Sequence, residues 1–260
     1  MKYMDKKQYN DPSVFTPENL LREGRRQKNL SLGNVPEICV LDPDGDIVRY
    51  LRRNNLAVLS NYWACYHSDL YEFKYNELNL GIIGCAVGSS YAVLLAEQLF
   101  VSGCKLLISI TSAGVINPLE GIEFIIIIES LRDEGTSYHY IPSGEKSEIN
   151  SNLLKLLDPL ITLSDLSIAK GKSWTTDAPY RETQSSIDDA KMLGIHAVEM
   201  EAAALYAFAK ARNKQVICVA HLTNTMAQQH GDFEKGEENG SVNALKLIAE
   251  TIKCVMVKRS

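Results

Sequence analysis

The chain has 260 residues, 45% of them hydrophobic and 23% charged, the balance of a globular protein with one large core. A net charge of -5 gives no basic surface of the kind that binding to a phosphate backbone requires, so no nucleic acid is expected as a partner. The start, "MKYMDKKQYN", has no apolar run behind its lysines, and the longest uninterrupted aliphatic run, Ile125 to Ile128, is too short for a bilayer, so the expectation is a cytoplasmic protein with no membrane partner.

Residues 1–34 are polar, with Arg22, Arg25, Arg26 and Lys28 close together, and are read as an N-terminal extension containing a short helix; residues 35–260 form the main domain. From Pro36 the chain alternates. "EICVL" is predicted as a strand, "DIVRYLRRN" as a helix, "LNLGIIGCAV" as a strand, "SYAVLLAEQLFVSG" as a helix and "CKLLISI" as a strand. "IEFIIIIESL" is a further strand, followed by a loop to about Pro142, a helix near 148–158 and a strand near 161–170. After the loop "SWTTDAPYRETQSS" come a helix, the strand "IHAVEM", the helix "EAAALYAFAKARN", the strand "QVICVAHL" and a last helix from about Val242 to Val257. Continuous apolar strands separated by amphipathic helices predict a single-domain α/β fold in three layers, its sheet covered on both faces.

Ligands of such sheets bind beyond the carboxyl ends of the strands, which directs attention to the segments just after each apolar run. These are "DPDGD" (Asp42 to Asp46), "GCAVGSS" (Gly84 to Ser90), "TSAG" (Thr111 to Gly114), "RDEGTSYHY" (Arg132 to Tyr140), "TTDAPYRET" (Thr175 to Thr183), "EME" (Glu199 to Glu201) and "TNTM" (Thr223 to Met226). "GCAVGSS" before a helix offers hydroxyls and unpaired backbone N–H groups to an anion, although a glycine turn also serves simply to bring helix and strand close. "TSAG" adds Ser112 and a second turn, so the two loops together suit one anion or sugar pocket. Glu199 and Glu201 fit the first turn of a helix by charge alone. Beside Met200 and a wall of alanines, Glu201 also suits a sugar: an ionised carboxylate accepts two vicinal hydroxyls and opposes a developing oxocarbenium cation.

Taken together, "GCAVGSSYAVLLAEQL", "ISITSAGVI", "RDEGTSYHY" and "VEMEAAAL" resemble the nucleoside phosphorylase superfamily over about residues 36–256. This group includes uridine phosphorylases, hexameric purine nucleoside phosphorylases and methylthioadenosine nucleosidases. The resemblance implies a central mixed, partly barrel-like sheet and cleavage of a nucleoside N-glycosidic bond with inversion. It places Met200 against the ribose, Glu201 on the 2′-hydroxyl, Glu199 in support and His139 near the sugar. Ser89, Thr111 and Ser112 fall at the phosphate, and Thr176, Tyr180, Arg181 and Asn224 at the base. It implies no cofactor beyond inorganic phosphate as co-substrate, and a homo-oligomer, dimer or hexamer. No metal is expected, because His67, His139, His196, His221 and His230 are dispersed and the six cysteines, without a C-x-x-C pair, suit buried thiols.

The sequence departs from the family at the phosphate site. Phosphorolytic members carry an arginine where Gly45 stands, and a second arginine where Ser109 stands. Arg22, Arg25, Arg26, Arg49, Arg52 and Arg53 are the remaining local sources of positive charge. Hydrolytic members use an acid in the first loop to activate water, a position that an ungapped match gives to Asp46; an Asp there is also an ordinary helix cap. Asn224 replaces the aspartate of adenine-cleaving members, and since an amide cannot give up a proton as an acid, an oxo-base is favoured. The leading expectation is phosphorolysis of an oxo-base nucleoside. The alternatives are a phosphate-independent nucleosidase and a non-catalytic nucleoside-binding or storage protein.

Overall fold

A computed structural model describes residues 7–225 and 232–256. Met226, His230 and Val257, the final residue of the last predicted helix, lie outside the described residues.

In chain order the elements are α1 (Pro17–Lys28), β1 (Ile38–Asp42), α2 (Asp46–Arg53), β2 (Ala57–Leu59), β3 (Tyr71–Tyr75), β4 (Leu78–Gly84), α3 (Ser89–Val101), β5 (Leu106–Val115) and β6 (Phe124–Asp133). They continue with β7 (Lys146–Glu148), α4 (Ser151–Leu156), α5 (Asp158–Leu163), β8 (Ile168–Thr176), α6 (Gln184–Met192), β9 (Ala197–Glu199), α7 (Ala202–Arg212), β10 (Gln215–Asn224) and α8 (Ser241–Met256). The order across the mixed sheet is β10-β6-β8-β9-β5-β1-β4-β3-β2, with β7 on the outside of β6. Because β10 also pairs with β5, the five strands β5, β10, β6, β8 and β9 close into a ring, while β1 to β4 extend it as an open wing. Helices flank the sheet, and the chain is a single mixed α/β domain with a partly closed barrel.

The ring closes imperfectly, and one side chain repairs the seam. β10 and β6 pair antiparallel from His221 and Phe124 to Val219 and Ile126. At the next step the Tyr206 hydroxyl from α7 stands between them, donating to the Ile127 carbonyl at 2.5 Å and accepting from the Cys218 N–H at 3.0 Å. Two backbone groups that would be orphaned where the strands part are thereby satisfied. α7 can enter so deeply because its residues from Ala202 to Phe208 are all buried and mostly small.

Two expectations need correction, and one hairpin lies beyond them. The apolar run at 161–163 ends a helix, α5, and the strand lies later, over Ile168–Thr176. That strand is hidden in the sequence because Ser173, Thr175 and Thr176 point into the protein rather than into solvent. The strand beginning at Leu78 is the second arm of a hairpin whose first arm, β3, alternates Tyr71, Phe73 and Tyr75. Its two-residue turn is Asn76-Glu77, both at positive φ, the type I′ geometry that usually carries a glycine. Finally, Cys85 is exposed although it sits in an apolar segment; all six thiols are free.

The N-terminal extension is bound to the domain. Thr16 caps α1, Leu21 is buried, Lys28 donates to the Cys65 carbonyl at 2.5 Å, and the Lys7 ammonium reaches the Tyr138 carbonyl at 3.2 Å. No helix among the described residues is long and apolar enough to cross a membrane.

The Tyr206 bridge predicts that Tyr206→Phe, which keeps the ring and removes the hydroxyl, lowers the unfolding free energy by about 1–3 kcal/mol, the cost of leaving buried backbone groups unpaired. Urea denaturation measures this, and unchanged stability would show that the seam does not depend on the hydroxyl.

Candidate active site

Glu199 and Glu201 divide the two roles that the sequence left open. Glu201 stands at the helix-capping position of α7, yet its carboxylate makes no capping bond. The cap comes from Glu199, whose Oε2 accepts the N–H groups of Glu201 and Ala202, each at 2.7 Å. Glu199 Oε1 accepts from the hydroxyls of Thr175, Ser173 (3.0 Å) and Ser130 (3.4 Å). Glu199 is therefore a fully partnered structural carboxylate.

That cap frees Glu201. Its Oε1 accepts the Gly88 N–H at 2.7 Å, while Oε2 is buried with no hydrogen-bond partner. Gly88 lies at φ 91°, in the region that favours glycine, and nothing stands where a side chain would project, so the turn can present its N–H to the carboxylate. Burial, reinforced by the charge of Glu199, raises the Glu201 carboxyl to about 8, with the Gly88 N–H and the nearby Thr111 hydroxyl pulling the other way. A buried carboxylate with one open oxygen is a hydroxyl acceptor whose charge is costly until a donor arrives.

The neighbouring residues sort themselves by what they already bind. Ser89, expected at the phosphate, is fully buried with its hydroxyl on the Met200 carbonyl at 2.7 Å, so it braces the Met200–Glu201 segment. Thr111 is buried, near Glu201, with its hydroxyl directed to the Ser112 carbonyl at 3.3 Å. The Ser112 N–H donates to Asp44 Oδ2 at 2.8 Å. Ser109, where family members have an arginine, is buried and its hydroxyl has no partner.

The first loop departs from the sequence reading. The cap of α2 is Asp42, not Asp46: its two oxygens accept from Gly45 N at 3.0 Å and Val48 N at 2.9 Å, and burial pushes its carboxyl up to about 7. Asp46 is the first residue of the helix and is paired with Lys235 (2.6 Å) and Arg49 (2.7 Å). Partial burial raises its pKa, but these two cations outweigh it and hold the carboxyl below its usual range, which weakens Asp46 as a base for water. Gly45 is closely enclosed: a side chain there would begin 2.7 Å from Cys85 Sγ and 2.8 Å from the Arg49 guanidinium.

The candidate arginines are likewise placed. Arg22, Arg25 and Arg26 line a groove with Val101 and Ser102, at the far end of α3 from Ser89, roughly 18 Å away at 1.5 Å per residue. Arg52 stacks over Tyr71, Arg53 pairs with Glu238, and Arg49 holds the Asp44 carbonyl at 2.7 Å from the outside of the loop. The cation that reaches inward is Lys235, which sequence reasoning missed; its ammonium lies 2.6 Å from Asp46 and 3.4 Å from Asp44.

The remaining expected residues are more dispersed. Thr176 is buried at the end of β8 with its hydroxyl on Ala178 N, whereas Tyr180 is 99% exposed and Arg181 is exposed in the following turn. Asn224, half-buried at the end of β10, donates to the Thr223 hydroxyl at 3.1 Å. His139 is exposed on a short turn, Ser137–His139. That turn is organised by buried Arg132, which donates to Ser137 Oγ at 2.8 Å and to the carbonyls of Pro142 (2.8 Å) and Gly144 (3.2 Å).

A half-closed α/β barrel with a capped carboxylate pair beneath two glycine-rich turns defines the class of protein. The sequence profile of the Phosphorylase superfamily matches residues 37–253, and the chain belongs to that family. It is 25% identical over 235 residues to a uridine phosphorylase of Thermococcus kodakarensis, covering 79% of this chain and 84% of that protein. It is 24% identical over 228 residues to a guanosine phosphorylase of Halorubrum lacusprofundi, covering 86% and 89% respectively. The fold matches the crystal structure of a uridine phosphorylase from Vibrio fischeri with a TM-score of 0.69 at 21% identity, covering 87% of this chain and 93% of that one.

The raised carboxyls predict a pH dependence of stability. An unfolded glutamate ionises near 4.5 and folded Glu201 near about 8, so between those values the folded chain holds the extra proton and unfolding free energy falls as pH rises. Glu201→Gln removes its share, leaving the falls due to Asp42, Glu182 and Glu199 and the opposing rise from His139, His196 and His221, whose burial lowers their pKa. Denaturant midpoints across pH 5 to 8 report this, and parallel curves for the two proteins would refute the assignment.

Proposed function

We propose that the protein cleaves the N-glycosidic bond of an oxo-base nucleoside, with inorganic phosphate as the attacking group. The observation that carries this reading is the buried Glu201 carboxylate, whose Oε2 has no hydrogen-bond partner and suits a ribose hydroxyl. In the proposed reaction a phosphate oxygen bonds to C1′ as the C1′–N bond breaks. The bond's electron pair leaves with the base, and the proton of hydrogen phosphate ends on the base, giving free base and sugar 1-phosphate. Ionised Glu201 stabilises the cationic sugar, Met200 packs against it and His139 borders it. Asn224 hydrogen-bonds the departing base, which Thr176, Tyr180 and Arg181 border. The two named relatives, a uridine and a guanosine phosphorylase, support a base bearing a carbonyl.

A second reading, a nucleosidase using water, is favoured by one observation: the Ser112 N–H is already taken by the Asp44 carboxylate. Under it the first loop, Asp44 or Asp46, orients the water.

Chromatography of uridine, thymidine, inosine, guanosine, adenosine and methylthioadenosine, incubated with and without phosphate, separates the two. Phosphorolysis yields base and sugar 1-phosphate only with phosphate; base and free sugar in its absence would replace it with the hydrolytic reading. In either reaction Glu201→Gln is expected to lower kcat/KM by about a hundredfold or more, the usual loss on removing a charge that stabilises the transition state. Retained turnover in that variant would remove Glu201 from its proposed role.

A further inference from the structure

Asp44, Asp46 and Lys235 form a cluster that the proposed reaction does not explain. Asp44 Oδ2 accepts the Ser112 N–H at 2.8 Å, Asp44 Oδ1 lies 3.4 Å from the Lys235 ammonium, and Lys235 is tied to Asp46 at 2.6 Å. The Lys235 side chain is only 13% exposed, so its charge is held inside the protein rather than in solvent. The space that these groups enclose with Asp42, Thr111 and His221 measures about 20 Å³. That holds roughly one water molecule, far less than a phosphate.

A carboxylate and a phosphate present the same chemistry to a backbone N–H and an ammonium: negatively charged oxygens that accept strong hydrogen bonds. Asp44 is thus bound as an anion would be. Its side chain is 30% exposed, so the carboxylate can turn to solvent about its own side-chain bonds while the loop backbone, held by Arg49 and Asp42, stays in place. A phosphate entering while Asp44 stayed would meet its carboxylate as well as that of Asp46, and like charges that close repel strongly where water is excluded; with Asp44 displaced, the Asp46 charge that remains is offset by its pairing with Lys235 and Arg49.

We propose that Asp44 is a built-in occupant of the phosphate seat, displaced when inorganic phosphate binds, and that Lys235 and the Ser112 N–H are the groups handed over. The inference rests on the phosphorolytic reading. Lys235 then supplies the positive charge that Gly45 and Ser109 do not, and Asp44 sets how much phosphate is needed to fill the seat. Arg49 is no substitute: both cations pair with Asp46, but the Arg49 side chain is 60% exposed and holds the Asp44 carbonyl rather than facing the enclosed space.

The two residues must therefore act in opposite directions. Inorganic phosphate is titrated calorimetrically into the full-length wild type, Asp44→Ala and Lys235→Met, with sodium chloride of equal ionic strength as the control. Asp44→Ala is expected to bind phosphate about tenfold more tightly than wild type, and Lys235→Met about ten- to a hundredfold more weakly, the range for one charged hydrogen bond. In steady-state assays the KM for phosphate follows the same order while the KM for the nucleoside stays within about twofold. Lys235→Arg restores most of the binding, and Asp44→Asn, which keeps the shape and removes the charge, serves if the alanine variant does not fold.

Equal or weaker phosphate binding by the Asp44 variants, or unchanged binding by Lys235→Met, overturns the seat. Phosphate-independent cleavage by wild type overturns phosphorolysis instead. The calorimetric comparison then still decides whether Asp44 occupies an anion position.

Discussion

Everything at the candidate site depends on the carboxylate of Glu199, which touches no space open to a ligand. Five hydrogen bonds converge on it, from three hydroxyls on β6 and β8 and from the first two N–H groups at the start of α7. Hydrogen bonds of this number compensate the burial of a carboxylate and draw together the elements that supply them. The Thr175 hydroxyl also accepts the Ala203 N–H at 2.9 Å, so the tie between β8 and the helix is double. With the helix end satisfied from behind, Glu201 is released from capping and turns its carboxylate toward Gly88. One acid is stabilised so that its neighbour stays unsatisfied.

The same division explains the chain's apparent polarity. Ser130, Ser173 and Thr175 lie on strand positions that a simple core would fill with valine or isoleucine. They are hydroxyls because Glu199 requires donors. The first loop repeats the arrangement on a smaller scale: Asp42 is buried and spent on the start of α2, and the acids after it are left to interact with Lys235 and Ser112. In both places a buried acid at a helix start holds the backbone while an acid two positions later faces the site.

Much of the fold was legible in the sequence because apolar runs such as "FIIII" and "CVL" report buried strands directly. β8 was not, since the hydroxyls that serve Glu199 make it look like a loop. The β3–β4 hairpin was hidden by its Asn-Glu turn, where a glycine would have announced positive φ. At the site, the V-E-M-E-A segment was readable because four adjacent residues carry it. Lys235 was not, because it meets Asp46 across 189 positions and nothing around it marks it as buried. The Ser89 hydroxyl, which the resemblance places at the phosphate, is bonded to the Met200 carbonyl 111 positions away, a contact no local pattern reveals. Local pattern identifies residue types fit for a task, and only the packing decides which of them are already engaged.

The double pairing of β10 has a consequence for how the protein comes to exist. β5 and β6 are synthesised before the slot between them is filled by residues 215–224, about 80 positions further on. Until that strand arrives, both flanking strands offer unpaired edges, the exposure that invites association with other chains. Contacts of such long sequence separation must be closed against the entropy of the intervening loop before they contribute any stability, which slows folding. That same insertion sets His221 beside Ser112 and Asn224 beside Gly114 on β5. Ring closure therefore also brings Asn224 and the segment carrying Lys235 to the site, and a nascent chain stalled before residue 215 has neither.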